Sequence, residues 1–185
     1  ETRSAIGVAT NLETWERRLI TPTDAPSRFA SDTSGTDVDT FFTIQNPPLR
    51  LIVVGAVHIA QSLLPMARLA GYQPTLIDPR ESFGSQSRFP DETILNDWPD
   101  AAVAKLGLDA RTALVTLSHD PKLDSPALAA ALNSQAFYIG ALGSTRTHAK
   151  RCTQLRDMGF SDAQISRIHG PVGANIGAAT PAEIA

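Results

Sequence analysis

Three short stretches of this chain gather residues able to bind an anion or to move a proton. The first is Gly55-Ala56-Val57-His58-Ile59-Ala60. Set against the dinucleotide fingerprint G-x-G-x-x-G/A, Gly55 takes the tight turn and Ala60 the helix–strand contact. The middle glycine, which lets the backbone approach a pyrophosphate, is replaced by Val57. Asp78 lies 23 residues after Gly55, where an acid hydrogen-bonds a ribose hydroxyl, and Arg80 follows it. The second stretch is Ser118-His119-Asp120. A carboxylate can orient an imidazole as a general base, yet adjacent loop residues seldom face each other, and capping the following turn is an equal reading. The third is Gly140-Ala141-Leu142-Gly143-Ser144-Thr145-Arg146. Its glycines permit close backbone approach, Ser144 can cap a helix whose first amides attract an anion, and Arg146 brings a guanidinium suited to phosphate.

Arg146 is followed by Lys150, Arg151 and Arg156 with no acid before Asp157. We read those three as a solvated basic face and Arg146 as the ligand contact. Cys152, within the same segment, reads as packed and inert. His58, His148 and His169 are scattered without cysteines at zinc spacing, so no metal site is expected. Gly170 to Pro181 is a glycine-punctuated loop, as expected of backbone lying close to a ligand or a neighbouring loop.

These loops need a scaffold, and the pattern from Leu49 onward supplies one. Leu49–Val54, Pro74–Asp78, Ile94-Leu95, Ala113–Leu117 and Phe137–Ile139 read as short buried strands. Between them, His58–Ala70 reads as a helix with Ile59, Leu63, Met66, Leu69 and Ala70 on one face, ended by Gly71. Further helices are expected over Trp98–Lys105, from the Ser125-Pro126 cap through Leu132, over Thr145–Met158, over Ser161–Ile168 and from Thr180. Ser161-x-x-Gln164 and Thr180-x-x-Glu183 both fit a reciprocal capping box. Strands alternating with helices predict an α/β, Rossmann-like, doubly wound parallel sheet, whose carboxyl-end loops converge on one crevice. Residues 1–48 read differently. A polar tract from Thr21 to Thr40 lacks core periodicity, Ala5–Ile20 has weak strand or turn character, and Phe41–Gln45 reads as a strand closed by Asn46-Pro47-Pro48. The expectation is a short, irregular N-terminal segment and linker over 1–48, without a core of its own, ahead of a sheet domain over 49–185.

The chain has 185 residues, enough for about one domain at roughly 100–200 residues each. Sixteen Lys+Arg against 19 Asp+Glu leave a charge of −3, which argues against a nucleic-acid partner. One cysteine excludes an intrachain disulfide framework and favours a reducing, cytoplasmic setting. The apolar runs reach about six residues, against the roughly 20 of a membrane span, and no signal-peptide pattern opens the chain. The chain starts at Glu1 without an initiator Met and stops at Ala185, so a cut inside the last helix and an N-terminal remnant are expected.

Taken in order, LIVVGAVHIAQSLLPMARLAGY, LIDPRESF with the later SRFP, LSHDPKLDSPAL, YIGALGSTRTHAKR and IHGPVGANIGAATPAEIA resemble the XdhC/CoxI family, the accessory proteins of xanthine dehydrogenase and related molybdenum hydroxylases. The resemblance runs almost continuously over residues 47–185 and would make this the family's Rossmann-like C-terminal domain. It implies a carrier and chaperone rather than an enzyme. Such a protein binds the molybdenum cofactor (molybdopterin, as such or as a dinucleotide), supports its sulfuration and helps insert it into the apo-enzyme. A sulfurtransferase as second partner and a homodimer are left open. The residues expected to hold the cofactor are Gly55, Ala56, His58, Ile59, Ala60, Asp78, Arg80, Ser118, His119, Asp120, Gly140, Leu142, Gly143, Ser144 and Arg146. The sequence departs from the family at Val57, where a second glycine is usual, and residues 1–48 lack the family's N-terminal cysteine motif. Two alternatives stand beside this reading: an NAD(P)-dependent oxidoreductase, supported by Gly55, Ala60 and Asp78, and a scaffold that docks on a dehydrogenase without binding a small molecule.

Overall fold

The computed structural model describes residues 3–185 and divides into two units, Glu1–Pro48 and Leu49–Ala185. The first unit is an antiparallel sheet of four strands: β1 (Ile6–Asn11), β2 (Arg17–Ile20), β3 (Gly35–Asp37) and β4 (Thr40–Gln45), in the order β2-β1-β4-β3, with the short helix α1 (Pro26–Ala30) between β2 and β3. Ala9, Ile20, Ala25 and Phe29 are buried together beneath it. The expectation of an irregular segment without a core is therefore corrected. The polar tract hides a strand because Gly35-Thr36-Asp37 is largely exposed on the sheet edge and carries no apolar alternation, and the core is small, with half-buried Ala5, Phe42 and Ile44 packed against its buried residues.

The second unit is a parallel sheet. Its strands are β5 (Arg50–Val54), β6 (Gln73–Ile77), β7 (Thr93–Leu95), β8 (Thr112–Thr116), β9 (Tyr138–Ala141) and β10 (Ile168–His169), in the order β10-β9-β8-β5-β6-β7. All five pairings are parallel, so the chain winds outward twice from neighbouring strands β5 and β8, and the switch point lies between them. Both faces of the central strands are covered, and all five residues of β5 and of β8 are buried. Ile52, Val54, Ile77, Leu114 and Ile139 face one core, while Leu51, Val53, Leu76, Val115 and Leu117 face the other.

The first face is packed by α3 (Pro99–Leu106), α4 (Pro121–Leu132) and α5 (Thr145–Asp157), which contribute Val103, Leu123, Leu128 and Leu155. The second is packed by α2 (His58–Leu69). The row of α2 that reaches the sheet is Ala60, Leu64 and Ala67, one position on from the face expected; Met66 is 42% and Leu69 89% exposed. Two alanines let this helix lie close to the strands, and Ile59 and Leu63 only flank the contact. Gly71 follows with φ +85°, a left-handed conformation that favours glycine.

Helix α4 begins one turn earlier than Ser125-Pro126 suggests. Asp120 accepts a hydrogen bond from Lys122 N at 2.9 Å and Pro121 stands at the first helical position, so the cap-and-proline signal is met first there. Pro126 then lies inside the first turns, where its missing N–H releases only the carbonyl of exposed Lys122 to solvent. The Ser161 capping box closes a single turn, α6 (Asp162–Ile165), rather than a helix through Ile168; Ile168 and His169 instead pair with Ile139 and Gly140 as the edge strand. The Thr180 box opens α7 (Pro181–Ile184).

Two contacts set the turn after β5. Gly55 has φ +109°, and a Cβ placed on it would stand 2.7 Å from Ser118 N and 2.9 Å from Ser118 Cα. Asp78, at the end of β6 and fully buried, accepts from Ala56 N at 2.8 Å. Burial alone would raise the Asp78 carboxyl, but hydrogen bonds from the Arg80 side chain and from Ala56 and Arg80 backbone outweigh it and hold the carboxyl below its ordinary value. Such a group adds stability above its unfolded pKa near 3.8, and that contribution is lost as pH falls through the lower folded value. Two outcomes are expected. Gly55→Ala should lower the unfolding free energy in urea by at least about 2 kcal/mol, because both the positive φ and the Ser118 backbone oppose a side chain. Asp78→Asn should cost about 1–3 kcal/mol at neutral pH and flatten the loss of stability below about pH 4, measured by urea unfolding across a pH series.

Candidate functional site

The carboxyl ends of β5, β6, β8 and β9 place the three loops along one edge of the sheet, at and beside the switch point. In the first loop, backbone groups are directed inward. Ala56 N donates to Asp78, Val57 N donates to Gly55 O at 2.9 Å, and Ala56 O accepts from Arg88 Nη1 at 2.9 Å. Val57 packs its branched side chain against the α2-side core. Ala60 is fully buried at the helix–strand contact; His58 is exposed and Ile59 half-buried at the start of α2.

Asp78 departs most clearly from its expected part. Its carboxylate receives four N–H donors: Ala56 N, Arg80 N at 3.0 Å, Arg80 Nε at 2.8 Å and Arg80 Nη2 at 2.7 Å. A carboxylate offers about four lone-pair sites, so none remains for a ribose hydroxyl in this arrangement. Arg80 is oriented by the same pair and stacks over the Phe83 ring at 4.1 Å. The pairing with Asp78 raises the Arg80 pKa further.

In the second loop, Ser118, His119 and Asp120 have separate tasks. Ser118 Oγ donates to Asp124 Oδ1 at 2.6 Å and accepts from Asp120 N at 3.1 Å. The Asp120 side chain caps α4, which is the capping alternative left open by the sequence. His119 is exposed and holds φ +59°, an uncommon conformation for a residue with a side chain. In the third loop, Gly140 answers to packing: a Cβ there would lie 2.8 Å from Val172 Cγ2. Gly143 has φ +145°, and Ser144 caps α5 through Thr147 N at 3.1 Å. Arg146 projects from the first turn of α5 and is exposed. Leu142 and Ile59, expected on different loops, meet in an apolar groove of about 240 Å³ that Leu63, Leu117, Tyr138 and Val172 also line.

Two residues outside the expected set are central to this edge. Asp124 and Arg151 are 2% and 6% exposed. Arg151 Nη2 lies 3.1 Å from Leu142 O and 3.5 Å from Asp124 Oδ2, while Arg151 Nη1 is buried without a partner. The assignment of Arg151 to a solvated face is thus corrected. The signal was in the helical spacing, since Arg151 stands four residues before Leu155 and shares its inward row. Lys150 and Arg156 are exposed, the latter paired with Asp162 at 2.7 Å. Burial raises the Asp124 carboxyl above its ordinary value, against the opposing pull of Ser118 and Arg151. Cys152 is half-buried against the core with Sγ 3.5 Å from His148 Nε2. Burial, aided by the charge of Arg151, lowers the His148 pKa. Among the described residues, no three His, Cys, Asp or Glu side chains assemble as a metal-holding group, and no helix is long and apolar enough to cross a membrane.

Comparison with known proteins places this geometry in a family. The chain is 33% identical over 127 residues to the molybdenum cofactor insertion chaperone PaoD of Escherichia coli K12, covering 69% of this chain and 34% of that protein. It is 30% identical over 163 residues to the Escherichia coli K12 protein YqeB, covering 86% of this chain and 30% of that protein. The chain therefore spans about a third of the length of these relatives. Its fold is similar to a structure from Bacillus halodurans described as a xanthine dehydrogenase, with TM-score 0.74 and 22% identity over 98% of this chain and 56% of the other. The profile of the XdhC Rossmann domain matches residues 51–185, and the chain belongs to the XdhC family.

Proposed function

We infer that this chain is part of an accessory protein that binds the molybdenum cofactor as cargo, supports its sulfuration and delivers it to an apo-enzyme of the xanthine dehydrogenase type. One observation carries the reading. Neither buried carboxylate at the loop edge is left facing a ligand, since Asp78 is matched to Arg80 and Asp124 is held by Ser118 with Arg151 beside it at 3.5 Å, so no unpaired acid repels an anion there. Arg146 adds an exposed guanidinium at the start of α5, where the helix dipole also favours an anion. A phosphate-bearing pterin suits such an edge, and the apolar groove holding Ile59 and Leu142 offers contact area beside it. The relation to PaoD supports the same cargo and a molybdenum hydroxylase as recipient. Sulfuration needs transferable sulfur, carried as the outer sulfur of a persulfide on a donor cysteine that is left behind as a thiol. Cys152 is half-buried against the core and 3.5 Å from His148, so that donor cysteine is assigned to a partner sulfurtransferase.

The oxidoreductase alternative loses its main support here, because the acid expected on the ribose is saturated by the chain's own N–H groups. The test is a binding titration of the purified chain with molybdenum cofactor released from a molybdenum enzyme, beside titrations with NADH and NADPH. Saturable binding of the cofactor is expected, weakened about tenfold by Arg146→Ala through loss of one charge-assisted contact. The unfolding midpoint of that variant should be unchanged, since Arg146 is exposed. Tight NADH binding without cofactor binding would overturn the reading in favour of an oxidoreductase. Binding of neither would favour a docking scaffold.

A further inference from the structure

The glycine-punctuated loop that follows β10 makes two contacts within three residues. At its start, Gly170 lies against the His148 ring of α5: a Cβ on this glycine would run into Nδ1 and stand 2.6 Å from Cε1 and 2.8 Å from Cγ. Two residues on, Val172 N donates to Ala141 O at 3.1 Å. The Val172 side chain packs over Gly140 and, with Gly173, walls the apolar groove. One short stretch thus seats a histidine at one point and shapes the groove at the next.

The histidine contact suits the ring in one protonation state only. Nδ1 is buried and has no hydrogen-bond partner among the described residues, while Cys152 Sγ stands 3.5 Å from Nε2. The neutral ring meets both conditions with its proton on Nε2, toward the sulfur, and a bare lone pair at Nδ1. An imidazolium must place an N–H at Nδ1, where no acceptor waits, and an unmet buried N–H is costly. The charges around the ring do not offset this. On α5 itself, Arg151 repels a second cation. On α4, Asp124 faces Arg151 at 3.5 Å. On the loop side, His169 stacks on Tyr138 with ring centroids 4.7 Å apart. Among the described residues, no carboxylate pairs with His148.

We propose that His148 and the Gly170 loop form a proton-sensitive latch: the neutral ring seats the loop on α5, and protonation releases it and loosens the groove wall at Val172. Burial and the charge of Arg151 hold the seated ring below its ordinary value of 6.5. A released ring returns to water and to that ordinary value, so it takes up a proton more readily than the seated one. Latching is therefore complete above about pH 6.5 and weakens as pH falls through the lower, seated value. Over that window the ratio of open to latched loop rises by at most about tenfold per pH unit. The latch stands on the packing of the loop and does not depend on the cofactor reading.

The test is amide hydrogen exchange on the full chain between about pH 7.5 and about pH 5, with protection corrected for the intrinsic pH dependence of exchange. The Val172 amide, bonded to Ala141 O, reports the loop; the Leu117 amide, bonded to Val54 O at 2.8 Å, reports the sheet. Val172 protection should be level above about pH 6.5 and fall below it by up to about tenfold per unit, while Leu117 protection stays level. His148→Gln, which removes the titrating ring, should flatten the Val172 response, and His169→Gln should leave it in place. Gly170→Ala should lower Val172 protection about tenfold at every pH and remove its pH dependence, because the added methyl displaces the ring. The latch is overturned by Val172 protection that ignores pH, that falls in step with Leu117, that responds equally in His148→Gln, or whose response disappears in His169→Gln. Any of these would leave His148 as a packing residue.

Discussion

The two halves of the parallel sheet wind away from each other starting at adjacent strands, and the turns that end those strands cross with no room for a methyl group between them. Gly55 and the Ser118 backbone meet there. The turns after β5 and β8 take their positions from this contact. The turn after β5 enters α2, the turn after β8 enters α4 through Asp120, and Ser118 itself reaches on to Asp124. Because a Cβ would stand 2.7 Å from Ser118 N, a displaced β5 turn would also displace the strand whose serine orients the buried acid. The approach is a packing constraint first, and the binding edge inherits its shape from it.

Two acid–arginine pairs flank that contact, and they differ in how complete they are. Asp78 is held by four N–H donors at 2.7–3.0 Å, and its carboxyl stays below the ordinary range despite full burial. Asp124 is held by Ser118 and only loosely by Arg151, and burial drives its carboxyl the other way. One pair is a finished structural joint that fixes a turn. The other leaves a guanidinium nitrogen unmatched in the interior. The same two residue types thus make a tight joint on one side of the switch point and a looser, more deeply buried pair on the other.

Much of the sheet unit was legible because its signals are local or strictly periodic. The β5 and β8 runs are apolar throughout, Gly71 ends α2, and the boxes at Ser161 and Thr180 start helices where the spacing says they should. Signals that arise from tertiary partners were not legible. The saturation of Asp78 depends on Ala56 N, 22 residues earlier in the chain, and a carboxylate at the end of a strand looks the same whether it awaits a ribose or has met a backbone amide. Arg151 was lost in a run of cations whose inward member is marked only by Leu155 one turn on. At the N-terminus the strand Gly35–Asp37 carries no apolar alternation, because its place at a sheet edge leaves both of its faces largely wet.

The parallel sheet ends in a strand of two residues on one side, Ile168–His169, and of three on the other, Thr93–Leu95. Edges this short expose few unpaired backbone groups, so a second sheet cannot align along them to form a continuous ribbon. Such a surface resists fibril-like stacking even when many copies are crowded together.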